Sequence, residues 1–416
     1  MAAVRRQPVI TGLGIVSPIG VGVDNFWSSA LAGRSGISSP TLFDASKLPP
    51  DCRIVGEVRD FNPLDWMPGR IARVAGRFSQ FAVAAAKMAR EDSCLASAEL
   101  PAERVKVTMG TSLNGQTDVA QPNFGSFLKG GQIWPWAALE FPAHAATSHV
   151  AIDGKALGQT TTFATACAAG LDAIGWAADE VRSGQASAVL AGATEAPLSE
   201  FILMVFHSVG VLSKWQGPSE EASRPFDLWR AGLVLAEGSA VVTVESEDDA
   251  RARRVPIYAR ILGRASVNEG AHLRKVDETG EAVSRSIVGA LASADLRPTD
   301  IDFICAHGNS MQDYDAAETA GIKRVFGHHS WNMPISSTKS MCGQALAASS
   351  AMQVVATCLT LRHQIIPPTI NYQTPDPHCD LDYVPNIARL ARVRTALIHA
   401  HSLGGAHVAM ILSAPD

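Results

Sequence analysis

Short apolar runs alternate with longer segments of helical periodicity along the whole chain. Residues 188–191, 240–244, 257–261, 301–305 and 395–399 have the length and composition of buried strands, and residues 81–91, 170–183 and 280–293 have those of helices. Interleaving of this kind buries a sheet between helical layers, so the alternation predicts an α/β fold. A hydrophobic fraction of 47% against 18% charged residues fits a well-packed globular chain, and 416 residues suffice for two or three domains. The charged run 245–254 reads locally as a solvated helix and separates two halves. No low-complexity or long Pro-rich linker interrupts the chain.

Several function classes fall away on composition. A net charge of −5 carries no nucleic-acid footprint. The opening residues Met1 to Arg6 are not followed by the apolar stretch of a signal peptide, so the cytoplasm is the expected location. Residues 345–361 are the most membrane-like segment, but Ser349, Ser350, Gln353 and Thr357 interrupt them, which predicts a buried helix. Seven scattered cysteines without a C-x-x-C argue against a zinc site or a disulfide framework.

Four segments carry candidate chemistry. Cys167 stands among small residues where a Thr/Ala-rich lead-in gives way to a helical run. A thiol at a helix N-terminus is expected to gain thiolate character, whereas the alternative is an inert core cysteine. His307 follows an apolar strand and precedes a glycine, an arrangement that is catalytic in some chains and structural in more. Residues 336–344 form a polar loop before a long small-residue helix, and His401 to His407 enclose a Gly404-Gly405 turn between two apolar strands, which by itself is an ordinary hairpin.

Taken in order, these segments resemble the β-ketoacyl synthases of the thiolase superfamily, most closely the elongating branch of fatty acid and type II polyketide pathways. The resemblance runs nearly end to end. It is carried by Val9-Ile10-Thr11-Gly12-Leu13-Gly14, Ser17-Pro18-Ile19-Gly20, the segment from Leu31 to Ile37, Ala222-Ser223-Arg224-Pro225-Phe226-Asp227, Ala236-Glu237-Gly238, Lys339-Ser340-Met341 and the Gly404-Gly405 turn. It implies a thiolase fold, with two pseudo-symmetric halves (1–250 and 251–416) forming a five-layer αβαβα core. Cys167 would come from the first half, and His307 and Gln344 from the second.

The implied reaction has two stages. Cys167 takes an acyl group from a carrier-protein thioester, with the N–H groups of Cys167 and Leu403 as oxyanion hole. A malonyl thioester then loses carbon dioxide, and its enolate attacks the acyl-enzyme. The resemblance further implies an ion pair of Lys339 with Glu318 beside Asp315, supporting His307 and its loop. It implies pantetheine and malonyl contacts at Asn309, Met311 and Ser402, and a gate at Leu403, Gly404 and Gly405. Arg70 and Arg73 would receive an acidic acyl carrier protein, unless they merely line a solvated helix. A homodimer, or a heterodimer with a related subunit, is implied. No metal or organic cofactor is expected, because phosphopantetheine arrives on the carrier protein.

The chain departs from its family where the chemistry is most demanding. Gln344 replaces the second histidine that stabilises the enolate. Losing an oxyanion donor costs about 2.7–4 kcal/mol. A glutamine amide still donates, but it cannot transfer a proton near neutrality. Initiating synthases and plant-type polyketide synthases use His plus Asn for a similar task. Asn309 and Met311 replace threonines, and Ser402-Leu403 replaces Gly-Phe in the gate. His401 and His407 flank that gate and offer substitute imidazoles, although a purely local structural role is the simpler expectation. The alternatives to condensation are acyl transfer or cyclisation through acyl-Cys167, or a non-catalytic subunit that sets chain length. Retention of Cys167 argues against the last.

Overall fold

The computed structural model describes residues 6–98 and 100–415. Its centre is one 11-stranded sheet built from β1 (Pro8–Ser17), β2 (Gly20–Val21), β3 (Val105–Gly110), β4 (Thr160–Phe163), β5 (Ala188–Glu195), β6 (Gly238–Ser246), β7 (Ala259–Asn268), β8 (Phe303–Cys305), β9 (Ile335–Ser336), β10 (Thr395–His401) and β11 (Ala406–Ser413). The order is β9-β8-β10-β11-β7-β1-β6-β5-β3-β4, with the short β2 on β1.

Without β2, this order is one pattern used twice. In each half the first strand pairs antiparallel with the fifth, the fifth antiparallel with the fourth, and the fourth, second and third run parallel. The halves meet where Val9 and Ile10 of β1 pair with Arg260 and Ala259 of β7. The expected pseudo-symmetry therefore lies in the strand order itself.

Helices make the remaining layers, among them α1 (Arg77–Asp92), α2 (Ala145–Gly154), α3 (Ala169–Arg182), α4 (Glu200–Val209), α5 (Glu281–Ala294), α6 (Gln312–Phe326) and α7 (Leu346–His363). The helices α1 and α2 cover the outer face of the first half, and α5 and α6 that of the second. Between the halves lie α3 and α7, which touch each other. All nine residues of β6 are buried, as befits a strand covered on both faces.

The contact between α3 and α7 depends on Gly170. A Cβ there would lie 2.7 Å from the Ala351 nitrogen and 2.8 Å from the Ala347 oxygen. The α7 segment is a buried helix, as expected, and several of its polar side chains are bonded to protein groups. Ser349 Oγ accepts the Ala345 amide at 2.8 Å, and Thr357 donates to the Gln353 carbonyl at 2.7 Å. Among the described residues no helix is long and apolar enough to cross a membrane. The largest boundary error of the sequence reading is the strand expected at 257–261. It begins at Ala259 and runs on to Asn268, because pairing with β11 continues into polar residues that no apolar pattern marks.

Candidate active site

The first half delivers Cys167. From β4 the chain enters a tight turn, Ala166–Ala168, and then α3. Ala166 has φ 51°, a left-handed conformation unusual for a residue with a Cβ, and this bend carries the thiol to the mouth of the helix. The expected thiolate character does not follow. Cys167 is 8% exposed, and burial pushes its thiol up to about 11. The Gln344 carboxamide and the Lys339 charge pull the other way and recover only part of that shift. Desolvation of a charge outweighs a partial helix dipole in so dry a site. Alkylation of Cys167 by a small neutral reagent such as iodoacetamide is therefore expected to accelerate about tenfold per pH unit from pH 7 to 9. A plateau near neutrality would mean the thiolate forms far more readily than this environment allows.

The second half delivers His307, two residues beyond the end of β8 and directly after Ala306. Its backbone is gripped from both sides. The His307 amide donates to Glu318 Oε1 at 2.7 Å, and the Lys339 ammonium donates to the His307 carbonyl at 2.7 Å. Its ring is oriented by the His401 amide, which donates to Nδ1 at 3.3 Å and so assigns the ring proton to Nε2. Burial, reinforced by the Lys339 charge and by His399 and His407, holds the imidazole well below its ordinary pKa. His307 is thus a neutral N–H donor at physiological pH.

Lys339 and Glu318 do not form the expected ion pair. Among the described residues, the Lys339 ammonium is bonded to the His307 carbonyl and to Gln353 Oε1 (3.0 Å). Glu318 accepts from the His307 and Gly308 amides and from His399 Nδ1, the last at 2.6 Å. The two charges act on one another across His307 instead of touching. Asp315 lies on the same helix as Glu318, α6. It accepts the Asn309 amide at 3.0 Å and the Phe226 amide at 2.9 Å, faces Arg230, and is pushed up to about 7 chiefly by burial.

Gln344 acts on the thiol, since its carboxamide is the strongest polar influence lowering the Cys167 pKa. Neither of its side-chain polar atoms has a hydrogen bond of regular geometry, although the residue is only 1% exposed. The segment expected to act as gate is a hairpin turn between β10 and β11, with Gly404 and Gly405 at φ 94° and 80°, angles that admit glycine freely. In it the amides of Ser402, Gly404 and Gly405 are all bonded, to Ala406, Leu273 and Ser402. Among the described residues this leaves Leu403 as the turn's open N–H. Asn309 spends its side-chain oxygen on the Met311 amide (3.1 Å), and Met311 packs in one apolar cluster with Cys167, Tyr314, Leu346 and Leu403.

Met311 also lines an open cleft of about 460 Å³ with Lys214 and Arg274 on its walls. Sequence reading missed these two cations, because only the fold brings residues 214, 274 and 311 to one rim. Arg70 and Arg73 are both exposed, but Arg70 lines a separate, mainly apolar cleft with Trp136 and Leu139. Gln353 and Tyr314 were missed as well. Gln353 ties Lys339 to the Ala306 and His399 carbonyls, and Tyr314 lies against His401.

The comparisons agree with this geometry. Residues 6–250 match the family model for the β-ketoacyl synthase N-terminal domain, and residues 258–373 that for its C-terminal domain. The chain is 36% identical over 420 residues to a putative polyketide β-ketoacyl synthase 1 of Streptomyces halstedii, covering 99% of both chains. It is 37% identical over 411 residues to the 3-oxoacyl-[acyl-carrier-protein] synthase 2 of Coxiella burnetii, covering 98% of this chain and 99% of that one. Among solved structures, a type II polyketide ketosynthase in complex with its acyl-carrier protein matches with a TM-score of 0.92 at 35% identity, over 99% of this chain and 100% of that chain. The ishigamide ketosynthase/chain length factor matches with a TM-score of 0.91 at 32% identity, over the same shares. With its repeated five-strand pattern and a cysteine and a histidine contributed by opposite halves, the chain belongs to the β-ketoacyl synthase family.

Proposed function

We propose that this chain is a carrier-protein-dependent condensing enzyme that loads an acyl group on Cys167 and extends it with a malonyl unit. One observation carries the reading: a thiol at the start of α3 shares its site with an imidazole whose tautomer is set for donation at Nε2. In the first stage the Cys167 sulfur attacks the carrier thioester. The new C–S bond replaces the old one, and the proton lost by Cys167 ends on the departing carrier thiol. The Leu403 and Cys167 amides stabilise the tetrahedral oxyanion. In the second stage the bond between the malonyl α-carbon and its carboxylate breaks, and carbon dioxide leaves. His307 donates to the oxygen of the resulting enolate. The α-carbon then attacks the acyl carbonyl and expels the Cys167 thiolate, which takes a proton from solvent.

The relatives act in polyketide and fatty acid synthesis, and one solved neighbour holds its carrier protein. By the same logic the partner of this chain is an acidic acyl carrier protein. Its phosphopantetheine arm enters past Lys214 and Arg274, whose charges suit an anionic phosphate. Arg70 and Arg73 offer a second, more peripheral contact. A related ketosynthase-like subunit, or a second copy, is the proposed dimer partner, and no resident cofactor is needed.

Intact-protein mass after incubation with a panel of acyl-carrier proteins tests the reading. An acyl adduct that malonyl-carrier protein converts into a β-ketoacyl product is the expected result. An adduct that persists indicates transfer to another acceptor, and no adduct with any donor indicates a non-catalytic subunit.

A further inference from the structure

Four histidines cluster in the second half, three on β10 and β11 near the hairpin and His307 just past the end of β8. His401 pairs in register with His407 across the hairpin, and His399 lies two residues earlier on the same face of β10. His307 meets His401 edge to face, with ring centroids 4.2 Å apart at 75°. Two of the four are accounted for by carboxylates. His399 Nδ1 is bonded to Glu318, and His407 Nε2 to Glu269 at 2.8 Å. His401 differs, because it is 1% exposed and neither ring nitrogen has a partner among the described residues.

An imidazole buried with both nitrogens unpaired forfeits its bonds to water without replacement, a cost of about 1–3 kcal/mol per group. Buried polar atoms in this condition call for an explanation, and a catalytic role is one of the few available. A metal does not fit. The rings of His399, His401 and His407 lie within 24–30° of parallel with centroids 5.2–5.7 Å apart, so their nitrogens do not converge. Among the described residues, the one group with converging ligand atoms is Asp51, Cys52 and His207, elsewhere in the chain.

The position of the ring identifies what it serves. Its own backbone N–H sets the His307 tautomer. Its ring centroid is 4.8 Å from that of Tyr314, and Tyr314 packs in the apolar cluster that contains Cys167. His401 therefore borders the space where the enolate forms. Gln344, where the family has its second imidazole, lies in the same site and cannot titrate. We infer that His401 supplies the second imidazole of the enolate-stabilising site, donating with His307 to the malonyl thioester oxygen as carbon dioxide leaves. The electron pair of the broken C–C bond comes to rest on that oxygen, between two neutral N–H donors. Burial and the neighbouring His307, His407, His399 and Lys339 keep the His401 ring neutral, so it stabilises the enolate without protonating it at carbon. The inference deepens the condensing reading and rests on it.

The test separates the two stages. His401→Phe keeps a ring in the space and removes both nitrogens. Acyl loading is followed by intact mass, and carbon dioxide release is followed with malonyl-carrier protein. Release is expected to fall about 10²-fold while loading falls far less. Adding Gln344→His to His401→Phe is expected to restore release. His401→Asn, which retains a donor, is expected to lose much less than the phenylalanine variant and covers the case in which that variant does not fold. Release at the wild-type rate in a folded His401→Phe protein would overturn the inference. An equal fall in loading and release would also overturn it, because it would mean that His401 only holds His307 in place. A wild-type protein that loads acyl groups but releases no carbon dioxide would overturn the condensing reading itself, and this control keeps the two failures apart.

Discussion

Cys167→Ala is expected to abolish the acyl adduct and to lower condensation by at least about 10³, while the release of carbon dioxide from malonyl-carrier protein survives. The split follows from the two halves. Cys167 is delivered by β4 and α3, whereas His307 is held by Glu318, Lys339 and the His401 amide, none of which touches the thiol through a hydrogen bond. Removing the sulfur leaves the enolate donors in place, and it also removes a buried thiol whose ionisation is strongly disfavoured. The complementary His307→Ala is expected to keep the adduct and lose about 10²–10³ in carbon dioxide release. If Cys167→Ala lost both activities in a protein of unchanged melting temperature, the thiol would be part of the enolate site, and this division of labour would be wrong.

Glu318→Ala is expected to be strongly destabilising, costing about 3 kcal/mol or more. The carboxylate is fully buried and accepts three hydrogen bonds, from the His307 and Gly308 amides and from His399 Nδ1. Truncation leaves those donors without an acceptor, and it removes one of the charges that steady the buried Lys339 ammonium. A melting temperature lowered by several degrees, with loss of carbon dioxide release, is the expected result. Unchanged stability would show that water or another residue takes over the three donors.

Much of the architecture was legible in the chain because local periodicity reports burial. The helices expected at 170–183 and 280–293 lie within one residue of the observed Ala169–Arg182 and Glu281–Ala294. The Gly404-Gly405 turn is the hairpin its composition implies, since few other residues tolerate those φ angles. The strand at 259–268 was half hidden because its later residues, from Arg264 to Asn268, are held by pairing with β11 and not by an apolar pattern.

The site was legible as a set of residues but not as a set of interactions. Cys167, His307 and Gln344 stand out by type and order along the chain. That Lys339 and Glu318 grip one backbone from opposite sides, and do not grip each other, depends on the packing of α6 and the 339–342 turn around β8. Tyr314 carried no sequence signal and Gln353 showed only as a polar break in an apolar segment, because an aromatic or an amide on a helix looks alike whether it faces a site or a core.

The sequence by itself determined the α/β layering, the order of the elements and the candidate reactive side chains, because these follow from short-range periodicity and residue chemistry. Only the tertiary structure decided their electrical state and company: the thiol raised by burial, the His307 proton assigned to Nε2, and His401 left unpaired beside it. Desolvation and hydrogen-bond geometry depend on what surrounds an atom in space, and here those surroundings come from strands and helices far apart in the chain.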